Sequence, residues 1–182
     1  MDQGSGAAGL SANPDAPPAP EQPTAAVSAL YQEHALAMIR LAHIILGNRA
    51  TAEDVVQDAF CGLYRRWDHV ASKDKVVSYL RSSVLNGCRS VLRQNRPGEL
   101  TEAYQPIAIS AEATALTAEE RKQVVRAVRR LPERQRDVLV LRYYLDLGDD
   151  KIAADLGVSI NTVRSTRRRG LLSLERLLKE AS

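Results

Sequence analysis

The sequence predicts an all-α protein of two small helical domains joined by a flexible linker, the second domain containing a helix-turn-helix. Three observations predict it. Apolar residues recur three and four positions apart through most of the chain, and no segment alternates as a half-buried strand would. Charge divides the 182 residues into two basic lobes: residues 27–96 carry 10 basic and 6 acidic side chains, and residues 118–182 carry 15 and 10. Residues 1–26 and 97–117 hold three acids each and no base. Finally, the stretch Asp149 to Gly170, DDKIAADLGVSINTVRSTRRRG, sets two short helices around a glycine-bearing turn.

The first segment, residues 1–26, is rich in Gly, Ala and Pro with almost nothing bulky to bury. Ordering it costs backbone entropy without a compensating contact, so a disordered tail is expected. A first helix then runs from Val27 to Leu46 with Leu30, Met38, Leu41 and Ile45 on its apolar face, stopped by Gly47 and Asn48. Thr51 is the expected cap of a second helix, with Asp54 completing a variant capping box. That helix should bury Val55, Ala59, Phe60 and Leu63 and leave Glu53, Asp54, Gln57 and Asp58 outside. An acidic face on a basic lobe suits a basic protein partner better than DNA.

Residues 67–75 predict a polar loop, and about 76–94 a third long helix with Val77, Leu80, Val84, Cys88 and Val91 as its apolar stripe. Arg81, Asn86, Arg89, Arg93 and Arg96 lie off that stripe, and with Tyr79 they form a flank able to track and stack on a nucleic-acid strand. Residues 97–117 show no sustained period and contain two prolines, which predicts the linker. Thr117 and Glu120 then make a capping box for a helix burying Val124, Val125 and Val128 and ending near Arg130. Pro132 suits the first turn of the next helix, which carries Val138, Leu139, Leu141 and Tyr144.

In the last unit Ile152, Ala153 and Leu156 share a buried face, while Asp149, Asp150, Lys151 and Asp155 are expected in solvent. Gly157 ends the helix in the left-handed conformation, and Ser159 caps a second helix from Ile160. That helix offers Asn161, Thr162, Arg164, Ser165, Arg167, Arg168 and Arg169, then continues through Leu171, Leu174, Leu177 and Leu178. Hydroxyl and amide groups at a helix start, followed by guanidinium groups, suit base edges first and phosphates next. Gly170 inside the helix would allow a close approach.

Two cysteines without metal spacing, Cys61 and Cys88, indicate neither a disulfide framework nor a zinc ribbon. No apolar run approaches the ~18 residues of a membrane span, and the N-terminus lacks the basic region of a secretory signal. A cytoplasmic protein without a metal or other cofactor, and without membrane insertion, is expected.

Four segments, AEDVVQDAFCGLYRRW, SYLRSSVLNGCRSVLRQNR, LPERQRDVLVLRYYLDL and KIAADLGVSINTVRS, resemble in order and spacing the signature regions of extracytoplasmic-function (ECF) sigma factors of bacterial RNA polymerase. The resemblance covers about Ala26 to Leu178, and the Ala- and Arg-rich usage is similar to actinobacterial members. It implies that residues 27–96 are sigma region 2 and residues 118–182 sigma region 4. Region 2 would dock on the clamp helices of the polymerase's largest subunit through Asp54, Gln57 and Asp58. Its loop and third helix would open and hold the minus-10 strand through His69, Lys73, Tyr79, Arg81, Asn86 and Arg89, with Asn86 lining a pocket for a flipped base. Region 4 would read the minus-35 duplex through Asn161, Thr162, Arg164, Ser165, Arg168 and Arg169 and hold the polymerase flap through Leu141, Tyr144 and Leu145. The partners implied are core RNA polymerase, promoter DNA and, as for many relatives, an anti-sigma factor, although no residue here specifies one.

The chain departs from the pattern at two points. Arg167 stands where many relatives place an apolar residue facing the domain core, so either the helix is rotated or this side chain reaches outward to phosphate. Aromatics are scarce in the strand-capturing region, with Trp67 and Tyr79 the obvious candidates. The alternative is a helix-turn-helix regulator that acts without core polymerase. A receiver or ligand-binding domain of such a regulator finds no strands in residues 27–96. An enzyme would draw on Cys61, Cys88, His34, His43 and His69, which share no ligand spacing, so no catalytic residue is expected.

Overall fold

The computed structural model describes residues 23–70, 73–94 and 117–181, and every regular element among them is helical. Most of the expected tail and nearly all of the expected linker lie outside the described residues. Helix α1, Pro23–Leu46, starts earlier than the apolar pattern suggests, because proline suits a first turn and Ala26 is already buried. Residues 23–26 therefore belong to the helix rather than to the tail. Leu30, Met38, Leu41 and Ile45 are buried as expected, and Gly47 closes α1 at φ +85°.

The cap of α2, Arg49–Arg65, corrects the sequence reading. Asn48 is the N-cap, its amide oxygen accepting the Thr51 N–H at 2.9 Å and the Thr51 hydroxyl at 3.1 Å. With its hydroxyl donating to Asn48, Thr51 lies inside the first turn and does not cap it. Helix α2 buries Val55, Val56, Ala59, Phe60 and Leu63. The expected loop 67–75 is instead interrupted by a helical turn, α3, Trp67–Val70, and α4 begins at Lys73. On α4 the buried stripe is Val76, Leu80, Val84, Leu85 and Cys88, so Val76 replaces Val77, which is half-buried along with Val91. A Cβ on Gly87 would lie 2.7 Å from Val55 Cγ1, and this glycine lets α4 press directly on α2.

Helix α5, Ala118–Arg130, carries the expected reciprocal box: Glu120 N–H donates to Thr117 Oγ1 and Thr117 N–H donates to Glu120 Oε2. Hydrogen bonds from Thr117 to the charged form, its backbone N–H foremost and its hydroxyl second, hold the Glu120 carboxyl below its ordinary pKa. Val125 and Ala127 are the buried residues of α5, with Val124 and Val128 half-buried. Pro132 is the N-cap of α6, Glu133–Leu139, one position outside the expected first turn. The apolar stretch that follows winds into a π-helical turn, Val140–Tyr144, which periodicity did not indicate. Leu147 N–H reaches back to Leu141 O at 3.1 Å, and Asp146 takes φ +49°. Aspartate tolerates that left-handed position better than most residues.

Helices α7, Asp149–Leu156, and α8, Ile160–Glu180, meet at Gly157, φ +63°, as the sequence predicts. Ser159 accepts the Thr162 N–H at 3.1 Å and starts α8. Gly170 is buried, and a Cβ there would lie 3.2 Å from both Cγ and Cδ1 of Leu139, so the glycine permits α6 and α8 to cross closely. Beyond it the expected apolar continuation is poorly covered: Leu171 and Leu172 are exposed and Leu174, Leu177 and Leu178 half-buried. The two helical units are not separate beads. One buried apolar cluster runs from Leu30 and Leu41 through Val84 and Leu85 to Leu141, Ile152 and Val163, and α4 packs against α7 while α1 packs against α5.

Candidate nucleic-acid interface

The exposed face of α8 is built by its own cap and period. Val163 and Thr166 point into the core, which turns Asn161, Thr162, Arg164, Ser165, Arg168 and Arg169 outward; all six are exposed. Ser165 donates to Thr162 O at 3.1 Å, and Arg169 Nε donates to Ser165 O at 3.4 Å. The result is a row of hydroxyl, amide and guanidinium groups starting at the positive end of a 21-residue helix, where phosphate and base acceptors are favoured. Asp149, at the start of α7, holds two of the cations: its Oδ2 accepts from Arg164 Nε at 3.2 Å and its Oδ1 from Arg167 Nη1 at 2.5 Å. Arg167 thus neither faces the core nor stands free for phosphate; it folds back across the turn onto α7. Arg164 keeps its terminal nitrogens outside this bond, with its side chain 62% exposed.

On the first unit, Asp54, Gln57 and Asp58 are all exposed on α2, spaced three and four apart on one face. Glu53 is engaged instead with Arg49 at 2.7 Å. Leu141 is wholly buried, so it supports the surface and does not form it. Tyr144 and Leu145 are half-buried, and the side chain that projects from this turn is Tyr143, 61% exposed. Sequence periodicity missed Tyr143 because a π turn, with its wider i→i+5 bonding, shifts the outward position.

The residues expected to hold a strand are distributed unequally. His69 on α3 and Asn86 on α4 are exposed, and Tyr79 is half-buried with its hydroxyl against Gly62. Lys73 opens α4. Arg81 and Arg89 are covered by the second unit. Asp155, expected in solvent, is 7% exposed and faces α4. It accepts from Arg81 Nε at 2.5 Å and Nη2 at 3.1 Å and from the Ser78 hydroxyl, while its carbonyl accepts from Ser82 at 2.6 Å. The spacing held the warning: Asp155 lies three residues after Ile152, on the flank of the buried face. Arg89 donates to Asp137 Oδ2 from Nε at 2.8 Å and Nη2 at 2.6 Å, lies 3.1 Å from Glu133, and donates to Asn86 Oδ1 at 2.9 Å. Burial pushes the Asp137 carboxyl above its ordinary pKa even though the Arg89 guanidinium pulls the other way.

Cys88 is buried beside this seam, and its thiol is pushed up to about 12, first by burial and then by the Asp137 charge. A thiol so placed is a packing group rather than a nucleophile. Cys61 is exposed on α2. Among the described residues no group of three or more His, Cys, Asp or Glu side chains is arranged to hold a metal ion, and no helix is long and apolar enough to cross a membrane.

A helical unit with an acid face, followed by a helix-turn-helix that exposes a cationic recognition helix, defines a two-part DNA-directed protein. Comparison with known proteins makes this specific. Residues 30–97 match sigma-70 region 2, and residues 121–174 match sigma-70 region 4. The RNA polymerase sigma-E factor of Streptomyces avermitilis is 31% identical over 143 residues, covering 79% of each chain. The ECF RNA polymerase sigma factor SigL of Mycobacterium tuberculosis is 28% identical over 164 residues, covering 86% of this chain and 90% of that one. In three dimensions the chain is similar to CnrH in its complex with the cytosolic domain of CnrY, with a TM-score of 0.65 at 23% identity over 87% of this chain and 91% of that one. The chain belongs to the ECF sigma factors, the transcription initiation factors built from sigma-70 regions 2 and 4.

Proposed function

We propose that this sigma factor binds core RNA polymerase through the α2 acid face and the turn bearing Tyr144 and Leu145, and that it reads promoters with two separate surfaces. Residues 27–96 serve as region 2, residues 97–117 as the connection and residues 118–182 as region 4. The observation that carries the proposal is the exposed row on α8: six polar or cationic side chains, on a capped helix, in the second half of a helix-turn-helix. Asn161, Thr162, Arg164, Ser165, Arg168 and Arg169 contact the minus-35 duplex in the major groove, amides and hydroxyls toward bases and the later arginines toward phosphates. His69, Lys73, Tyr79, Arg81, Asn86 and Arg89 capture the opened minus-10 strand, where unstacking each base costs a few kcal/mol that a cationic groove and a base pocket offset.

The protein performs no bond chemistry of its own; its substrate-like partners are promoter DNA and the polymerase, and its place is the cytoplasm. A protein of anti-sigma type is proposed as a further partner, since RpoE of Bartonella quintana, similar in fold with a TM-score of 0.58, is held by the anti-sigma factor NepR. Charge reversal at the acid face tests the polymerase contact. Asp58→Arg should weaken co-elution with core polymerase by at least tenfold, because truncating or reversing a close charge pair at an interface costs ~2–5 kcal/mol. Binding of the isolated variant to a minus-35 duplex should be unchanged. Undiminished core binding by Asp58→Arg would remove α2 from the polymerase interface.

A further inference from the structure

The recognition helix opens with a large apolar side chain that the fold leaves in solvent. Ile160 is the first residue of α8 and is 41% exposed, whereas Val158, two residues earlier, packs on the buried apolar cluster. Its place in the helical period explains this. Val163, three residues on, is wholly buried and Arg164, four residues on, is exposed, so Ile160 stands at the border of the inward and outward faces. Helical side chains lean toward the N-terminus, and at the first position no earlier turn lies there to be covered.

Ile160 and Arg164 share an open concavity of about 430 Å³ with Arg142, Asp149, Asp150 and Arg167, and Ile160 is the one uncharged side chain lining it. The cations there are held from the protein side. Asp149 accepts from Arg164 Nε through one oxygen and from Arg167 Nη1 through the other, so its charge is balanced and Arg164 has its terminal nitrogens left for an outside partner. Arg142 Nη1 donates to Leu147 O at 2.8 Å. An exposed isoleucine beside an oriented guanidinium suits neither water nor a phosphate. It suits one feature of duplex DNA: the base edges in the major groove are polar donors and acceptors, except for the thymine C5-methyl.

We propose that Ile160 is a base-specificity residue of the minus-35 contact, its side chain covering the C5-methyl of a thymine while Arg164, held at Nε by Asp149, forks onto a neighbouring guanine. This deepens the promoter-reading role proposed above and rests on it. Side chains four residues apart on a helix have Cβ atoms ~5–6 Å apart and successive bases of a strand are ~3.4 Å apart, so the two contacts fall ~1–2 base pairs from each other. The element recognised therefore carries a thymine close to its guanine, and a base without the methyl in that place is discriminated against.

The experiment uses holoenzyme made from core RNA polymerase and the full chain, equilibrated with a randomised duplex library in two forms, one with thymine and one with uracil at every thymine position. Uracil pairs as thymine does and lacks only the methyl. Sequencing of the bound fraction reads base preference, and the guanine contacted by Arg164 is the one whose preference Arg164→Ala abolishes. Within two base pairs of that guanine the thymine library should prefer thymine at one position, and the uracil library should lose about fourfold of that preference, which is the ~0.8 kcal/mol of one buried methyl-sized group converted at ~1.4 kcal/mol per tenfold. Ile160→Ala should show the same loss with the thymine library and no further loss with the uracil library, its guanine preference and unfolding midpoint nearly unchanged. Ile160→Val, which keeps a branched apolar side chain, should behave as wild type.

The uracil comparison is made on the wild-type chain and does not depend on how the variants fold. Equal preference for thymine and uracil throughout that window would overturn the proposal while leaving the arginine contact in place. A methyl effect that persists in Ile160→Ala would also overturn it, by assigning the methyl to another side chain. A bound fraction with no sequence preference in the minus-35 region would overturn it together with the assignment of α8 to promoter reading.

Discussion

Arg164→Ala is expected to reduce initiation at a cognate promoter by about 5- to 150-fold while leaving core-polymerase binding intact. The range is that of one bidentate arginine–guanine contact, ~1–3 kcal/mol of discrimination. Arg164 is the natural reader because Asp149 holds its Nε and leaves its terminal nitrogens facing outward from the second turn of α8. The loss should concentrate on one base position of the minus-35 element, so that promoters altered there are affected least. Replacing Arg168, farther along the helix, should weaken all promoters alike and lower the salt dependence of binding, as loss of a phosphate contact does. A uniform loss from Arg164→Ala across altered promoters would reassign that residue to the backbone.

Leu141→Ala should destabilise the fold by ~2–5 kcal/mol, the range for deleting a fully buried leucine side chain. Leu141 has no exposed surface and sits in the apolar cluster shared by both units. Urea unfolding followed by helical circular dichroism measures the change. Tyr143→Ala, two residues on and 61% exposed, should leave the unfolding midpoint nearly unchanged and lower affinity for core polymerase. If Leu141→Ala left stability unaltered, the π turn would not be packed as described; if Tyr143→Ala left polymerase affinity unaltered, the turn would not be a docking surface.

Which parts of this were legible in sequence follows from the range of the forces involved. Local signals read well: Thr117 with Glu120, Gly157 and Ser159 are capping and turn chemistry settled within four residues, and each lies where its neighbours place it. The outward set on α8 was legible in part: Val163 marks the inward side in the sequence, whereas the burial of Thr166 emerges only from the packed structure. Competition between two local caps was not decidable: Asn48 and Thr51 can each accept an orphan N–H, and the structure uses Asn48. The π turn escaped because a 3.6-residue period cannot represent it, and with it went the distinction between Leu141 and Tyr143.

The largest gap concerned Asp155, Asp137 and Arg89. Their partners lie 48 to 77 residues away in sequence. Charge in a helical pattern normally predicts solvent, and only a guanidinium delivered by another unit makes burial of such a carboxylate tolerable. Arg167 belongs to the same lesson, because neither the core nor the phosphate alternative anticipated the acid of α7 across the turn.

The central claim is that this chain gives start-site choice to a polymerase that lacks it. Run-off transcription with core RNA polymerase purified from a Streptomyces, with and without the protein, on a library of promoter fragments tests it most directly. Discrete transcripts that require the protein, and share sequence near ten and thirty-five bases upstream of their starts, are predicted. Transcripts identical with and without it, together with no co-elution with core enzyme, would contradict the account.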